Sequence, residues 1–221
     1  MIDSRDFGGK FEGALVPNVA KDEWAIIYDH GHTSRGRINF TLAHEFGHYL
    51  IHRRLSGDPF YCSRRQMMEW DSKYSQMEAE ANSFAAFVLM PPDDFREQTK
   101  NFQKPTLRDF EILRDRYEVS LTAAVLNWLK STSVRAMLVV GRDGFIDWSW
   151  SSSTLYNSGV YFSARKVTIA LPEQSLAALG PTCGITSQQH PKGVWNDDTA
   201  VFESVVFAEH HGMTLSLLIY G

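Results

Sequence analysis

Cysteine is scarce in this chain: Cys62 and Cys183 are the only two in 221 residues. They are too few and too far apart for a disulfide framework and lack the close spacing of a thiolate metal site. Long hydrophobic runs are missing as well. None reaches the about 18 residues of a membrane span, and the opening Met1-Ile2-Asp3-Ser4-Arg5-Asp6 has no apolar stretch of a secretory signal. These absences predict a cytoplasmic protein without membrane association. There is no long run of Lys or Arg, and the formal net charge is −4. Short pairs such as Arg53-Arg54 and Arg64-Arg65 read as solvated faces, so direct nucleic-acid binding is not expected. A phosphate-binding G-x-x-x-x-G-K-[ST] loop is absent too, which excludes processive ATP-driven unfolding by this chain.

Apolar residues make up 43% of the chain and charged ones 22%, ordinary for a globular protein with a sizeable core. The informative segment is His44-Glu45-Phe46-Gly47-His48. Two imidazoles four residues apart on a helix lie about 40° apart around its axis, so both can reach one metal ion, with the glutamate between them placed to take a proton from water. Phe40, Ala43, His44, Gly47, His48, Ile51 and Leu55 fall in one apolar-plus-histidine sector of a helix beginning near Phe40, capped by Asn39 or Thr41. That turns both histidines inward. Gly47 costs about 1 kcal/mol of helix stability relative to Ala, which predicts a close approach of backbone or substrate.

A catalytic zinc site needs a third protein ligand and an open position for water. The next helical stretch, Lys73 to Met90, ends at Pro91-Pro92. Its apolar face is Tyr74, Met77, Ala81, Phe84, Ala85 and Val88. Glu78 lies on the flank of that face, where it can turn into a site between two packed helices. Asn82, one turn on, can hold a ligating histidine from behind. Glu80 falls well off the face and reads as solvent-facing. Glu69 and Asp71 are alternative ligands.

The run Ile38-Asn39-Phe40-Thr41-Leu42-Ala43-His44-Glu45-Phe46-Gly47-His48-Tyr49-Leu50, with Glu78-Ala79-Glu80-Ala81-Asn82-Ser83-Phe84-Ala85-Ala86 and Leu89-Met90-Pro91, resembles the ImmA/IrrE metallo-endopeptidases over about residues 20 to 130. The order E-x-x-A-N is similar to the E-x-x-[AS]-D of related glutamate zincins, whose first Glu binds the metal. That resemblance carries onto Glu78 and leaves Glu80 out. Asn82 stands where many relatives have Asp. The resemblance implies a protein substrate, a helix-turn-helix repressor cut to derepress stress, phage or mobile-element genes.

Around these motifs, residues 1 to 22 read as irregular, with Phe7, Phe11 and Leu15 as anchors. A short strand over Glu23 to Tyr28 follows, then a polar turn with His30 and His32, which read as exposed. Thr106, with Asp109, caps a helix through Arg116, and Ser120 caps another from Leu121 to Lys130. The pair at about 106–130 has a helix-turn-helix shape, but its second helix is too apolar for a DNA groove. From Val134 the pattern turns to β. Strands are predicted over Ala136 to Val140 and Phe145 to Trp150 as a hairpin, then Tyr161 to Ile169, Thr199 to Ala208 and Met213 to Tyr220, with a short helix over Glu173 to Leu179.

The fold expected is α+β: a zincin-like helical metallopeptidase domain with a short N-terminal sheet over 1–132, then a smaller, mainly β region over 133–221. The family resemblance implies that the latter is an α/β domain, sensory (GAF-like) or partner-binding. The function expected is zinc-dependent endopeptidase. His44, His48 and Glu78 hold Zn2+, Asn82 lies behind a ligand, and Glu45 moves the proton from water to the leaving amine. Tyr61, Tyr74 and His52 are the candidates for steadying the oxyanion. The alternatives are a non-catalytic regulator that binds a repressor or partner through a peptidase-like fold, or a toxin or defence component.

Overall fold

The computed structural model describes residues 1–8, 11–31, 34–55, 59–62, 73–164, 166–208 and 212–221, with the backbone alone for 61–62 and 73–75. It is α+β with two sheets. The chain divides into two compact units: Met1–Gln98 with Arg114–Ser120, and Thr99–Leu113 with Leu121–Gly221. No helix among the described residues is long and apolar enough to cross a membrane.

The first unit opens with a four-stranded sheet in the order β1-β3-β2-β4. Its strands are β1 (Ile2–Arg5), β2 (Gly13–Pro17), β3 (Trp24–Asp29) and β4 (Phe60–Cys62). β1 runs parallel to β3, while β2 is antiparallel to both β3 and β4. The stretch 1 to 22 is therefore not irregular as its glycines suggest. Ladder pairing with the apolar β3 organises the short polar β1 and the Gly13-led β2, a tertiary effect that overrides local propensity. Leu15, Ile26 and Phe60 form the buried centre of this unit, and Trp24, Leu42, Tyr49 and Met77 pack against it.

Helix α1 (Arg35–Gly47) starts at Arg35 rather than near Phe40, with Ser34 as its N-cap residue. Asn39 does not cap it; its amide donates instead to the Glu118 carbonyl. The early start follows from a tertiary anchor. Arg35 pairs with Glu118, and a Cβ on Gly36 would overlap the Val119 carbonyl group. The turn at Glu118–Ser120 thus lies directly on the first turn of α1. After Gly47 the helix widens into a single π turn over His48–His52, closed by Arg53 N–H donating to the His48 carbonyl at 3.0 Å. Such turns are frequent at functional sites. Ile51 and Leu55, expected in the inward sector, are exposed, because the widened turn shifts the phase beyond His48.

Helix α2 (Lys73–Leu89) packs against α1 and ends before Pro91. Ala81 and Ala85 form its buried seam, while Val88 is exposed. Helix α3 (Pro92–Thr99) follows, with Phe95 buried and tilted against the Tyr117 ring. Asp94 accepts from both Arg116 and Tyr117.

In the second unit, β5 (Ala136–Arg142), β6 (Phe145–Ser151), β7 (Ser187–His190), β8 (Val201–Ala208) and β9 (Met213–Tyr220) form an antiparallel sheet ordered β6-β5-β9-β8-β7. β5, between β6 and β9, is buried on both faces. Met137 and Val139 join Leu155, Leu176, Val201, Val205 and Leu218 in one core. Helix α5 (Leu121–Ser131) contacts the same strand and buries Ala124, Val125, Trp128 and Leu129. Phe102, Phe110 and Trp128 make an aromatic cluster with edge contacts. Helix α4 (Leu107–Tyr117) is preceded by Thr106, whose N–H and hydroxyl both donate to Asp109.

The strand expected over Tyr161 to Ile169 does not form. Among the described residues, Phe162, Ala164 and Ile169 pack on the core without forming a strand, and an isolated bridge joins Phe145 to Ala170. The segment's alternating apolar residues serve packing without a ladder. Two further helices are short, α6 (Ser153–Asn157) and α7 (Leu176–Leu179). The N-terminal amides of Leu176 and Ala177 donate to the buried Glu203 carboxylate, which also accepts from Trp195 and Ser216.

Candidate metal centre

The centre is built where α1 crosses α2, and the crossing is close because Gly47 has no side chain. A Cβ there would lie 3.3 Å from Ala81 Cα and 3.1 Å from Phe84 Cδ1. The close approach foreshadowed by this glycine is therefore made by the backbone and a ring of α2. It brings one turn of α1 against the turn of α2 that carries Glu78 and Asn82.

His44 Nε2 and His48 Nε2 lie 3.0 Å apart. Glu78 closes the triangle, its Oε2 3.3 Å from His44 Nε2 and its Oε1 3.2 Å from His48 Nε2. All three residues are buried, and they form a group able to hold a metal ion. Two imidazole nitrogens and a carboxylate oxygen at these separations suit an ion about 2.0–2.2 Å from each donor. The donor set therefore fits a divalent transition metal, with room for a ligand not drawn from these three residues.

The rings are held from behind. His44 Nδ1 is 2.9 Å from Asn82 Oδ1, so the amide oxygen accepts its proton and Nε2 keeps a lone pair towards the centre. The His48 ring stacks on Phe60 of β4, with centroids 4.9 Å apart. Burial works to raise the Glu78 pKa, but hydrogen bonds from His44 and His48 and their charges outweigh it and hold the carboxyl at about 2. Burial lowers the His48 pKa, only partly offset by Glu78, so the ring favours its neutral, ligating form.

Glu45 sits beside this trio with a different environment. It is fully buried, and neither carboxylate oxygen has a hydrogen-bond partner among the described residues. Burial, and then the neighbouring Glu78 charge, push its pKa well above the ordinary carboxylate value. An unpaired buried carboxylate is costly in a merely structural element. Such a group suits proton transfer, since burial raises its basicity above that of an ordinary carboxylate. The space around it is bounded by Gly13 of β2: a Cβ on that glycine would lie 2.5 Å from Thr41 Cγ2 and 3.1 Å from Glu45 Oε1. Sequence reasoning missed Gly13, whose signal, a glycine opening a strand, has meaning only once β2 is laid on α1.

Two sequence readings need correction. His52 does not face the centre as an oxyanion donor. It is buried behind His48, its Nδ1 3.0 Å from His48 Nδ1 and its Nε2 3.0 Å from Glu80 Oε2, so both nitrogens are engaged. Glu80 is half-exposed yet not simply solvated, because it holds His52 and accepts from Gln76. The visible signal for this was a third histidine, again four residues on. The side chains of Tyr61 and Tyr74 lie outside the described residues, as do Glu69, Asp71 and His32. His30 is exposed in the turn after β3.

No individual curated protein matches the chain significantly. A family model does, over residues 15–128, described as the IrrE N-terminal-like domain of peptidase family M78. That span holds both helices of the centre and covers more than half of the chain. The chain therefore belongs to the IrrE N-terminal-like, ImmA/IrrE family of peptidases.

Proposed function

We propose that this protein is a zincin-like, zinc-dependent endopeptidase that cuts a regulatory protein, a helix-turn-helix repressor, and so derepresses stress, phage or mobile-element genes. One observation carries the catalytic part: a fully buried Glu45, with no hydrogen-bond partner among the described residues, beside three buried donor atoms that converge on one point. A non-catalytic metal site has no use for that carboxylate.

His44 Nε2, His48 Nε2 and a Glu78 oxygen would hold the ion. Zinc bound there supplies Lewis acidity, bringing the pKa of a water molecule towards about 7 and polarising a peptide carbonyl. The chain's own residues do the rest. Asn82 keeps the His44 proton on Nδ1, Glu45 takes a proton from the attacking water on its carboxylate, and Glu45 then delivers that proton to the leaving amine. The raised basicity of Glu45 suits both halves of this transfer. A protein that lacks an ATP-driven unfolding loop acts on exposed, extended segments, and the linker of a dimeric repressor offers one. We read the region from 133 onward as sensory or partner-binding.

Incubating the purified protein and zinc with the helix-turn-helix protein encoded beside it, and reading fragments by mass spectrometry, tests the proposal. One or few cuts, absent with Glu45→Gln, are expected. Intact repressor with rapid digestion of casein points to a general peptidase. Tight binding with no cleavage points to a non-catalytic regulator.

A further inference from the structure

His48 is the only one of the two histidines in the metal-binding motif that is backed by another imidazole. His44 leans on an amide, whereas behind His48 stands the buried His52, and behind His52 the carboxylate of Glu80. We propose that His52 and Glu80 are positioning residues that fix which nitrogen of His48 carries its proton, and thereby which nitrogen is free to bind metal. The proposal deepens the zinc reading and rests on it for its consequence, although the tautomer itself exists without metal.

The argument is one of proton counting. A 3.0 Å contact between His48 Nδ1 and His52 Nδ1 requires one proton between two nitrogens. If His48 owns it, His48 Nε2 carries a lone pair towards the centre. His52 Nδ1 then accepts, and the His52 proton sits on Nε2, donating to Glu80 Oε2 at 3.0 Å. Every polar atom is satisfied with two neutral rings. If neutral His52 owns the proton instead, its Nε2 lone pair faces the Glu80 carboxylate, an acceptor against an acceptor. His48 must then carry its own proton on Nε2, directed at His44 Nε2 and Glu78, where a metal could not be bound. An ionised carboxylate can only accept, so Glu80 selects the first arrangement through His52.

The backbone supports this reading. The π turn lies over the segment from His48 to His52, and it departs from regular helix just where the second imidazole must come up behind the first. Gln76 donates to the other oxygen of Glu80 at 3.1 Å, which steadies the carboxylate while leaving Oε2 for His52. Because Glu80 is half-exposed, replacing it need not disturb the core, and the effect on His48 can be separated from an effect on folding.

The test uses the full chain as wild type, Glu80→Gln and Glu80→Ala. Long-range proton–nitrogen NMR of histidine-labelled, metal-free protein reads the His48 tautomer directly, and competition with a chromogenic chelator reads zinc affinity. The wild type should show the proton on His48 Nδ1. Glu80→Ala should shift population towards Nε2–H and weaken zinc binding about 10–100-fold, the usual effect of losing such a backing partner. Glu80→Gln, which can donate as well as accept, should fall between. Thermal unfolding of the metal-free variants should be little changed, as a merely structural role would not predict. An unchanged tautomer in Glu80→Ala overturns the proposal, as does a wild type with its proton on Nε2. A wild type locked on Nδ1–H that binds no zinc sinks the zinc reading and leaves the positioning role standing.

Discussion

Adding one methyl group at Gly13 tests whether β2 forms the wall behind Glu45. The new Cβ would lie 2.5 Å from Thr41 Cγ2, 3.1 Å from Glu45 Oε1 and 3.2 Å from Glu45 Cγ. Carbon atoms in contact prefer about 3.5–4.0 Å, so the Thr41 contact demands a shift of about 1 Å. Overpacking on this scale costs about 1–3 kcal/mol. The two Glu45 contacts are milder and call for a few tenths of an ångström, taken up by the carboxylate or by β2. The two effects can be separated. Thr41→Ser removes the methyl that suffers the worst overlap, so Gly13→Ala/Thr41→Ser should recover most of the lost stability. It should not fully recover activity, because Glu45 stays displaced by a few tenths of an ångström; a misplacement of about 1 Å costs on the order of 100-fold, so a shift this small costs up to about 10-fold. Denaturant midpoints, zinc content and the rate of repressor cleavage are the three readouts. Gly13→Ala should keep its zinc, unfold at lower denaturant and cleave up to about 10-fold more slowly. Wild-type stability and wild-type cleavage in Gly13→Ala would show that the strand does not press on the helix. Loss of zinc would show that the wall supports the ligands and not the base.

Glu45→Gln should leave zinc uptake intact, abolish cleavage and stabilise the metal-free protein at neutral pH by on the order of 2 kcal/mol, since an unpaired buried charge is removed. Burial raises the folded-state pKa of Glu45 above 4.5. Its contribution to stability is therefore present at low pH and lost as pH rises through that raised value. The advantage of the variant, read by calorimetry after chelation, should fade as pH falls through that raised value and be gone below about pH 4.5. Gly36→Ala ought to lower the unfolding midpoint even though alanine favours helix by about 1 kcal/mol, because the Val119 backbone has nowhere to retreat. In the second unit, Glu203→Ala strands two amides, the Trp195 indole and the Ser216 hydroxyl, and should cost about 3 kcal/mol or more. A change below about 1 kcal/mol in urea unfolding would mean that water replaces the carboxylate.

What could be read in the sequence was whatever is periodic. The histidine pair and Glu78 follow from helical phase, and the structure places their donor atoms within 4.8 Å of one another. Glu80 was half legible: phase put it off the apolar face, but phase says nothing about a histidine reaching out from the neighbouring helix. His52 was visible as a residue and misread in role, because the π turn changes direction where the pattern of a regular helix assumes none. β1 and β7 were missed for one physical reason. Ile-Asp-Ser-Arg and Ser-Gln-Gln-His carry little apolar alternation, and their pairing is imposed by β3 and β8. Conversely, the alternation at Tyr161 to Ile169 fills a core from a segment that forms no strand among the described residues, touching β6 only at its end. The long apolar strands β5, β8 and β9 declared themselves, since burial on the sheet writes directly into composition.

Among the described residues, the helix bearing the two histidines meets another part of the chain at three tight points: Gly13 on β2 and its own Gly36, where a Cβ would overlap, and Gly47, where a neighbour would have to give by a few tenths of an ångström. The three lie at different heights along α1 and meet different neighbours. Residues elsewhere on such a helix can drift, one apolar side chain exchanging for another of similar volume. At Gly13 and Gly36 there is no smaller step to take and no larger one that fits without moving a neighbour, whereas at Gly47 the outcome turns on whether Phe84 can give. A saturation library should therefore show deep, narrow columns at Gly13 and Gly36 and a shallower one at Gly47, the first of them outside the motif's helix and distant from it in sequence. Compensation could come only from paired changes in the opposing residue, as Thr41→Ser offers to Gly13. The freedom of this protein to vary is set by backbone clearance around its working helix, a constraint written in residues that carry no chemistry of their own.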